Sequence, residues 1–197
     1  MAFIALDGLA GSVDLTGVDK TDPGIFSLVG SQAGRYGRGL YPSSVAVARD
    51  PILGGGEFVY VSAYQACTAG QVVQFFVSQD PITKTMRLGV TPWTGPANLG
   101  LPLGVCYVDL PANYYGWVQI GGFAITNATG TINPNDQVYY AATGSVSTTV
   151  ANGKHMIGAQ FATARGATLG TGAAVVTLPS TQAIIWMQYP VAQGLNT

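Results

Sequence analysis

One histidine, two cysteines and nine carboxylates are all that this 197-residue chain offers for acid–base, nucleophilic or metal chemistry. Such chemistry needs titratable groups placed together. His155 lies in Asn152-Gly153-Lys154-His155, a turn opening onto a strand, and reads as exposed rather than catalytic. Cys67 or Cys106 has the right atoms for a Cys–His pair. Neither stands at a helix start or beside clustered positive charge, the settings that lower a thiol pKa. They are 39 positions apart with no Cys-x-x-Cys, which argues against structural zinc. Asp50, Glu57, Asp80, Asp109 and Asp136 could converge as paired carboxylates for glycoside hydrolysis, but nothing in their spacing says that they do. Gly166-Ala167-Thr168-Leu169-Gly170-Thr171-Gly172 has the glycines of a phosphate loop without its Lys-Ser/Thr, and strand-like residues follow where a helix N-terminus is needed. It reads as a hairpin turn. Asn127-Ala128-Thr129 matches a glycosylation acceptor in a chain with no secretory context. The expectation is a non-enzyme with no cofactor and no metal.

Composition says what could position any site. Hydrophobic residues make up 48% and charged residues only 9%, against about 25% charged in an average soluble domain. Lysine occurs only at Lys20, Lys84 and Lys154, and Glu57 is the one glutamate, so an exposed helix would have little to wet its outer face. With 27 glycines and 11 prolines the chain turns often. The net charge of −1 supplies no general attraction for nucleic acid. No run of about 20 apolar residues exists to span a membrane: the longest uncharged stretch, 166–197, contains Pro179, Ser180, Gln182, Gln188 and Pro190. The start, MAFIALDGLAGS, lacks a basic region and reaches Asp7 too early for a signal-peptide core. A cytoplasmic setting follows, with Cys67 and Cys106 as two free, buried thiols.

Strand patterns dominate. Phe58, Tyr60, Ser62 and Tyr64 share one face of 57–65, and Thr68-Ala69-Gly70 turns into 72–77, which reads as a hairpin. Further strands are expected at 103–109, 115–126, 137–141, 156–163, 173–178 and 182–189, with turns at 131–136 and 143–145. Pro92, Pro96 and Pro102 predict an irregular loop over 88–103. The fold class is all-β, a single domain of β-sandwich, jelly-roll or barrel-like form. Several strands, 182–189 above all, are apolar on both faces, so a second layer or a neighbouring subunit must cover them.

Residues 1–24 differ from the rest: they hold four of the eight aspartates, including Asp7 and Asp14, against Lys20 alone. They read either as an extended N-terminal arm, in which Phe3, Ile4 and Leu6 add a strand to a neighbour, or as an ordinary first strand and loop. The division is an arm at 1–24 and a domain at 25–197. From 23 to 49 the sign reverses, and Gly34-Arg35-Tyr36-Gly37-Arg38-Gly39 must be loop-like. Its arginines and tyrosine resemble a fragment of an RGG-type nucleic-acid segment, but a single copy reads better as a protein-contact loop around Arg35, Tyr36 and Arg38.

Leu53-Gly54-Gly55-Gly56-Glu57-Phe58-Val59-Tyr60-Val61 with Gly70-Gln71-Val72-Val73 resembles the opening of tailed-phage head decoration (cement) proteins. Leu103-Gly104-Val105, Tyr115-Gly116-Trp117-Val118-Gln119-Ile120-Gly121-Gly122 and Ile157-Gly158-Ala159-Gln160 resemble the later strands of that group. The resemblance spans about residues 53–190. It implies a β-rich structural virion protein, commonly a homotrimer, that binds the major capsid protein on the shell surface and reinforces it. The charge balance and the lack of a spanning run, for their part, give the expectation of no nucleic-acid or membrane partner. A carbohydrate-binding β-sandwich is the alternative, with Trp93, Tyr114, Tyr115 and Trp117 as sugar platforms; another structural head or tail component is a third. The same residues fit core or subunit contacts at least as well, and Tyr114, Tyr115 and Trp117 are candidates for capsid or subunit contact.

Overall fold

The computed structural model describes residues 4–5, 15–16, 18, 45–79, 86–171 and 175–195. Among them there is no helix. The strands are β1 (Ile4–Ala5), β2 (Val45–Asp50), β3 (Gly54–Ala63), β4 (Val72–Gln79), β5 (Met86–Pro92) and β6 (Leu103–Cys106). There follow β7 (Tyr115–Asn127), β8 (Gln137–Ala142), β9 (Ser145–Ser147), β10 (His155–Phe161), β11 (Thr168–Leu169), β12 (Val176–Thr177) and β13 (Gln182–Ala192). The protein is all-β.

The main sheet runs β1-β2-β3-β5-β4-β6-β7-β13-β10-β8-β9, and β3 also pairs with β7. That extra pairing closes β3, β5, β4, β6 and β7 into a ring. Its joints are antiparallel except the parallel one between β3 and β5, at Ser62↔Gly89 and Ala63↔Val90. Side chains alternate across a strand, so one parity must fill the ring. Val59, Val61 and Ala63 from β3, Val73 and Phe75 from β4, Val90, Cys106 and Val118 do so, with Cys67 and Leu110 at one end. Room comes from Gly104, where a Cβ would sit 2.6 Å from a Val118 methyl and 3.0 Å from the Phe75 ring.

Strand β7 is long because it serves two structures. Its first part pairs with β3 and β6 in the ring; from Gly121 to Asn127 β13 takes over the edge that β6 held, while the pairing with β3 on the other edge runs on to Gly122. The sheet then continues through β10, β8 and β9. A second core lies between this extension and the outside of β4 and β6, joining Val72, Leu103, Val105 and Trp93 to Met156, Phe161, Ile185 and Met187. A third gathers Phe58, Tyr60, Tyr115 and Trp117 under Leu53, Leu178 and Ile184. The two apolar faces of β13 are thus largely covered within the chain: Ala183, Ile185 and Met187 enter one core and Ile184 the other. A neighbouring subunit is not needed to explain them. Trp186, at 39% exposed, and Tyr189, at 61%, are left over.

Several expectations need correction. The segments at β3 and β4 do not form a hairpin; β4 pairs with β5 and β6, because the connection crosses over to bridge Cys67 with Leu110. Residues 88–92 are strand rather than loop, since Pro92 is the last residue of β5 and terminates it. The irregular stretch begins after it. Strand β6 stops at Cys106. Strand β2 went unanticipated because its pattern is inverted: Val45 and Val47 face outward while the small Ala46 and Ala48 pack inward, Ala46 opposite Phe58. Asp50 ends β2 with its carboxylate buried, accepting the N–H groups of Ile52 and Leu53 at 2.7 and 2.8 Å.

The described points of the first 24 residues lie against the domain. Ile4 and Ala5 pair with Arg49 and Ala48, Leu15 is buried among the Phe58–Trp117 core, and Val18 packs on the ring interior cluster. Leu15 and Val18 are packed in the chain's own cores; most of residues 1–24, read as an arm, lies outside the described residues.

Candidate contact surface

Of the residues expected to make contacts, Phe3, Leu6, Asp7, Asp14, Arg35, Tyr36 and Arg38 lie outside the described residues, and Ile4 contributes backbone pairing to β2. Tyr115 and Trp117 are buried; both rings meet Tyr60, with centroids 6.3 and 5.2 Å away. Trp93 is buried against Tyr140 at 5.3 Å, and Tyr114 is half-buried beside the ring interior cluster. None of the three fully buried aromatics is available as a sugar platform or a partner contact. A Tyr or Trp on a strand carries no sign of which face is covered, so the sequence alone leaves core, contact and platform roles open for them; the structure places these three in the core.

The exposed aromatics are elsewhere. Phe123 on β7 pairs across the sheet with Trp186 on β13, and Trp186 with Gln160 on β10. Paired residues share a face, so these side chains form one row, each aromatic 39% exposed. A parallel row runs from Val47 through Glu57 and Gly121 to Gln188. The Tyr189 hydroxyl donates to the Glu57 carboxylate, and that negative neighbour raises the Tyr189 pKa above its ordinary value. Beside Phe123 the sheet dips into a mostly apolar groove of about 460 Å³ between the Pro51–Leu53 turn and Leu169. The sequence held one usable signal: Trp186 and Gln188 share a strand parity, and glutamine rarely faces a core.

Local chemistry at the junction shapes this face. Gly122 has φ +85°, and a Cβ there would lie 2.1 Å from the Gly55 carbonyl oxygen. The register slips between Glu57 and Phe58 at the same place. The buried Gln119 amide repairs the slip: its Nε2 donates to the carbonyls of Gly121 and Phe123, each at 3.0 Å. Gln119, Gly121 and Gly122 therefore set the angle at which β7 leaves the ring and presents Phe123.

The titratable groups are dispersed. Asp136 accepts the Asn133 N–H at 2.8 Å and staples its own turn as Asp50 does, whereas Asp109 accepts the N–H of Ala69, 40 positions away, at 2.9 Å and ties two segments together. His155 stacks on Tyr139 with centroids 4.9 Å apart, and desolvation lowers its pKa. Cys67 and Cys106 are free and buried. Among the described residues no group of three His, Cys, Asp or Glu could hold a metal ion. No family model matches the chain, and no curated protein is significantly similar to it.

Proposed function

We propose that this chain is a structural virion protein that binds the outer surface of an icosahedral phage capsid as an oligomer, a homotrimer in the simplest case, and stabilises the shell. The observation that carries the reading is the Phe123–Trp186 row on an open sheet face, with Glu57 in the next row already engaged by Tyr189 and Arg49 at the rim of the groove beside Phe123. Apolar surface released from water contributes roughly 25 cal/mol per Å², whereas a buried unpaired charge costs several kcal/mol. A face of this kind suits a permanent contact with the major capsid protein or a neighbouring copy. The reading involves no catalysis, cofactor, nucleic acid or membrane.

Co-sedimentation with expanded capsids tests it, using the full chain and Trp186→Glu. The wild type should pellet with shells and stay bound at 1 M salt, where the screening length shrinks to about 3 Å. Trp186→Glu should remain folded and stay in the supernatant. Release of the wild type by salt, or equal binding of the variant, removes this face from the contact. A stable monomer at micromolar concentration in sedimentation velocity would count against the oligomer.

One observation favours a second reading, a carbohydrate-binding module. Trp186 borders a shallow hollow of about 190 Å³ with Gln137, Gln160 and His155, an aromatic plate edged by amides. A glycan array probed with purified protein distinguishes it from capsid binding.

A further inference from the structure

Cys67 and Cys106 take no part in the contact face, and the fold brings them together from 39 positions apart. Cys106 ends β6; its N–H donates to the Gln71 carbonyl at 2.8 Å, and its carbonyl accepts the Gly70 N–H at 2.9 Å. Cys67 forms a two-bond bridge with Leu110, at 2.9 and 2.8 Å. Between these anchors the turn Thr68–Gln71 folds back on itself, closed by the Gln71 N–H to the Thr68 carbonyl at 3.0 Å, with Gly70 left-handed at φ +80°. Both side chains consequently enter the ring's interior cluster, 2% and 1% exposed, as neighbours in it; the Cys67 S–H donates to the Gln65 carbonyl at 3.3 Å and the Cys106 S–H to the Val108 carbonyl at 3.0 Å. A cavity of about 330 Å³, walled by Gly70, Cys106, Tyr107 and Gln119, reaches this end of the ring.

We propose that Cys67 and Cys106 are a peroxide-oxidisable dithiol that closes to a disulfide within the folded ring. The Cys106 side chain beside it holds the Cys67 thiol below its ordinary pKa, while the Cys67 sulfur and burial push Cys106 up and the Cys106 S–H is held on the Val108 carbonyl, so Cys67 is the nucleophile and Cys106 keeps its proton. The Cys67 thiolate attacks one oxygen of hydrogen peroxide; the O–O bond breaks and hydroxide leaves, taking up a proton as water. Cys67 is then a sulfenic acid. The Cys106 sulfur attacks the Cys67 sulfur, the S–O bond breaks, and a second water departs with the Cys106 proton. Two thiols have lost two electrons and two protons, and one peroxide has become two waters.

The test treats the reduced, full-length protein with hydrogen peroxide, quenches it, and measures intact mass and cysteine-linked peptides under non-reducing conditions. The expected product is a monomeric chain lighter by two hydrogens, carrying a Cys67–Cys106 peptide link that dithiothreitol reverses. Cys67→Ser and Cys106→Ser should each fail to lose mass and instead gain oxygen at the remaining sulfur. If either variant does not fold, the linked peptide of the wild type decides alone. Two results overturn the proposal: a wild-type chain that gains oxygen without forming the link, or one that stays reduced at a peroxide concentration that oxidises the urea-unfolded chain.

Discussion

Replacing Gly122 by alanine should be among the most damaging single-methyl changes in this protein. The residue sits at φ +85°, where an L side chain costs roughly 1–2 kcal/mol. The new Cβ would also lie 2.1 Å from the Gly55 carbonyl oxygen and 3.0 Å from the Gly56 Cα, both backbone atoms of β3. No flexible side chain can swing aside, so β3 and β7 must separate where Gly56 pairs with Gly122. Losing one or two ladder hydrogen bonds adds about 0.5–1.5 kcal/mol each. The total is about 1.5–5 kcal/mol. With a urea m-value near 2 kcal/mol/M, that moves the unfolding midpoint by roughly 0.8–2.5 M. Gly121→Ala is the control: its Cβ would meet only the Glu57 side chain, at 3.3 Å, and its φ lies outside the left-handed region, so its midpoint should barely move. Gly122→Asn separates the two causes, since asparagine tolerates left-handed backbone but brings the same Cβ. Asparagine should behave like alanine if the contact with Gly55 dominates. Equal midpoints for Gly121→Ala and Gly122→Ala would refute the account of the junction.

Gln119→Leu keeps the side chain's bulk but leaves the Gly121 and Phe123 carbonyls without their donor, and should lower stability by about 2–3 kcal/mol in urea titration. For the proposed Cys67–Cys106 disulfide, a closed loop of this length is worth about 4 kcal/mol by the chain-entropy relation, so oxidised protein should melt roughly 8–16 °C above reduced protein. His155 gives a pH signature. Its pKa is lower folded than unfolded, so the unfolded chain takes the proton first; the stability it contributes is present above about pH 6.5 and is lost as pH falls below it. It is the chain's one histidine, so melting curves between pH 7.5 and 5.5 should show a small drop that His155→Gln abolishes.

The sequence carried the all-β class because so little Lys and Glu leaves helices without a wettable face, and long alternating runs such as those of β7 and β13 announce strands directly. Pairing was less visible. Nothing between Ala63 and Val72 distinguishes a tight hairpin from a chain crossing over to bridge Cys67 with Leu110, because both need the same turn at Gly70. Strand β2 escaped because inward alanines and outward valines reverse the usual reading of which side is buried. Closure of the ring depends on two parallel pairs between β3 and β5, a contact with no local signature at all.

The exposed Phe123–Trp186 face was the least legible part, and the reason is the double service of β7. A strand that fills a closed ring at one end and an open sheet at the other must change what its faces mean along its length. Trp117 and Phe123 share a parity on paper, yet the register slip at Gln119–Gly122 lies between them, and one is 2% exposed while the other is 39%. The aromatics that look most like a surface motif, Tyr115 and Trp117, hold the ring; the exposed pair, Phe123 and Trp186, meets only because β7 and β13 align beyond the junction. Gln119 and Gly122 therefore act on the face without belonging to it. If the face binds a shell, substitutions at the junction should weaken binding in proportion to the stability they remove, whereas Trp186→Glu should remove binding and leave stability nearly unchanged.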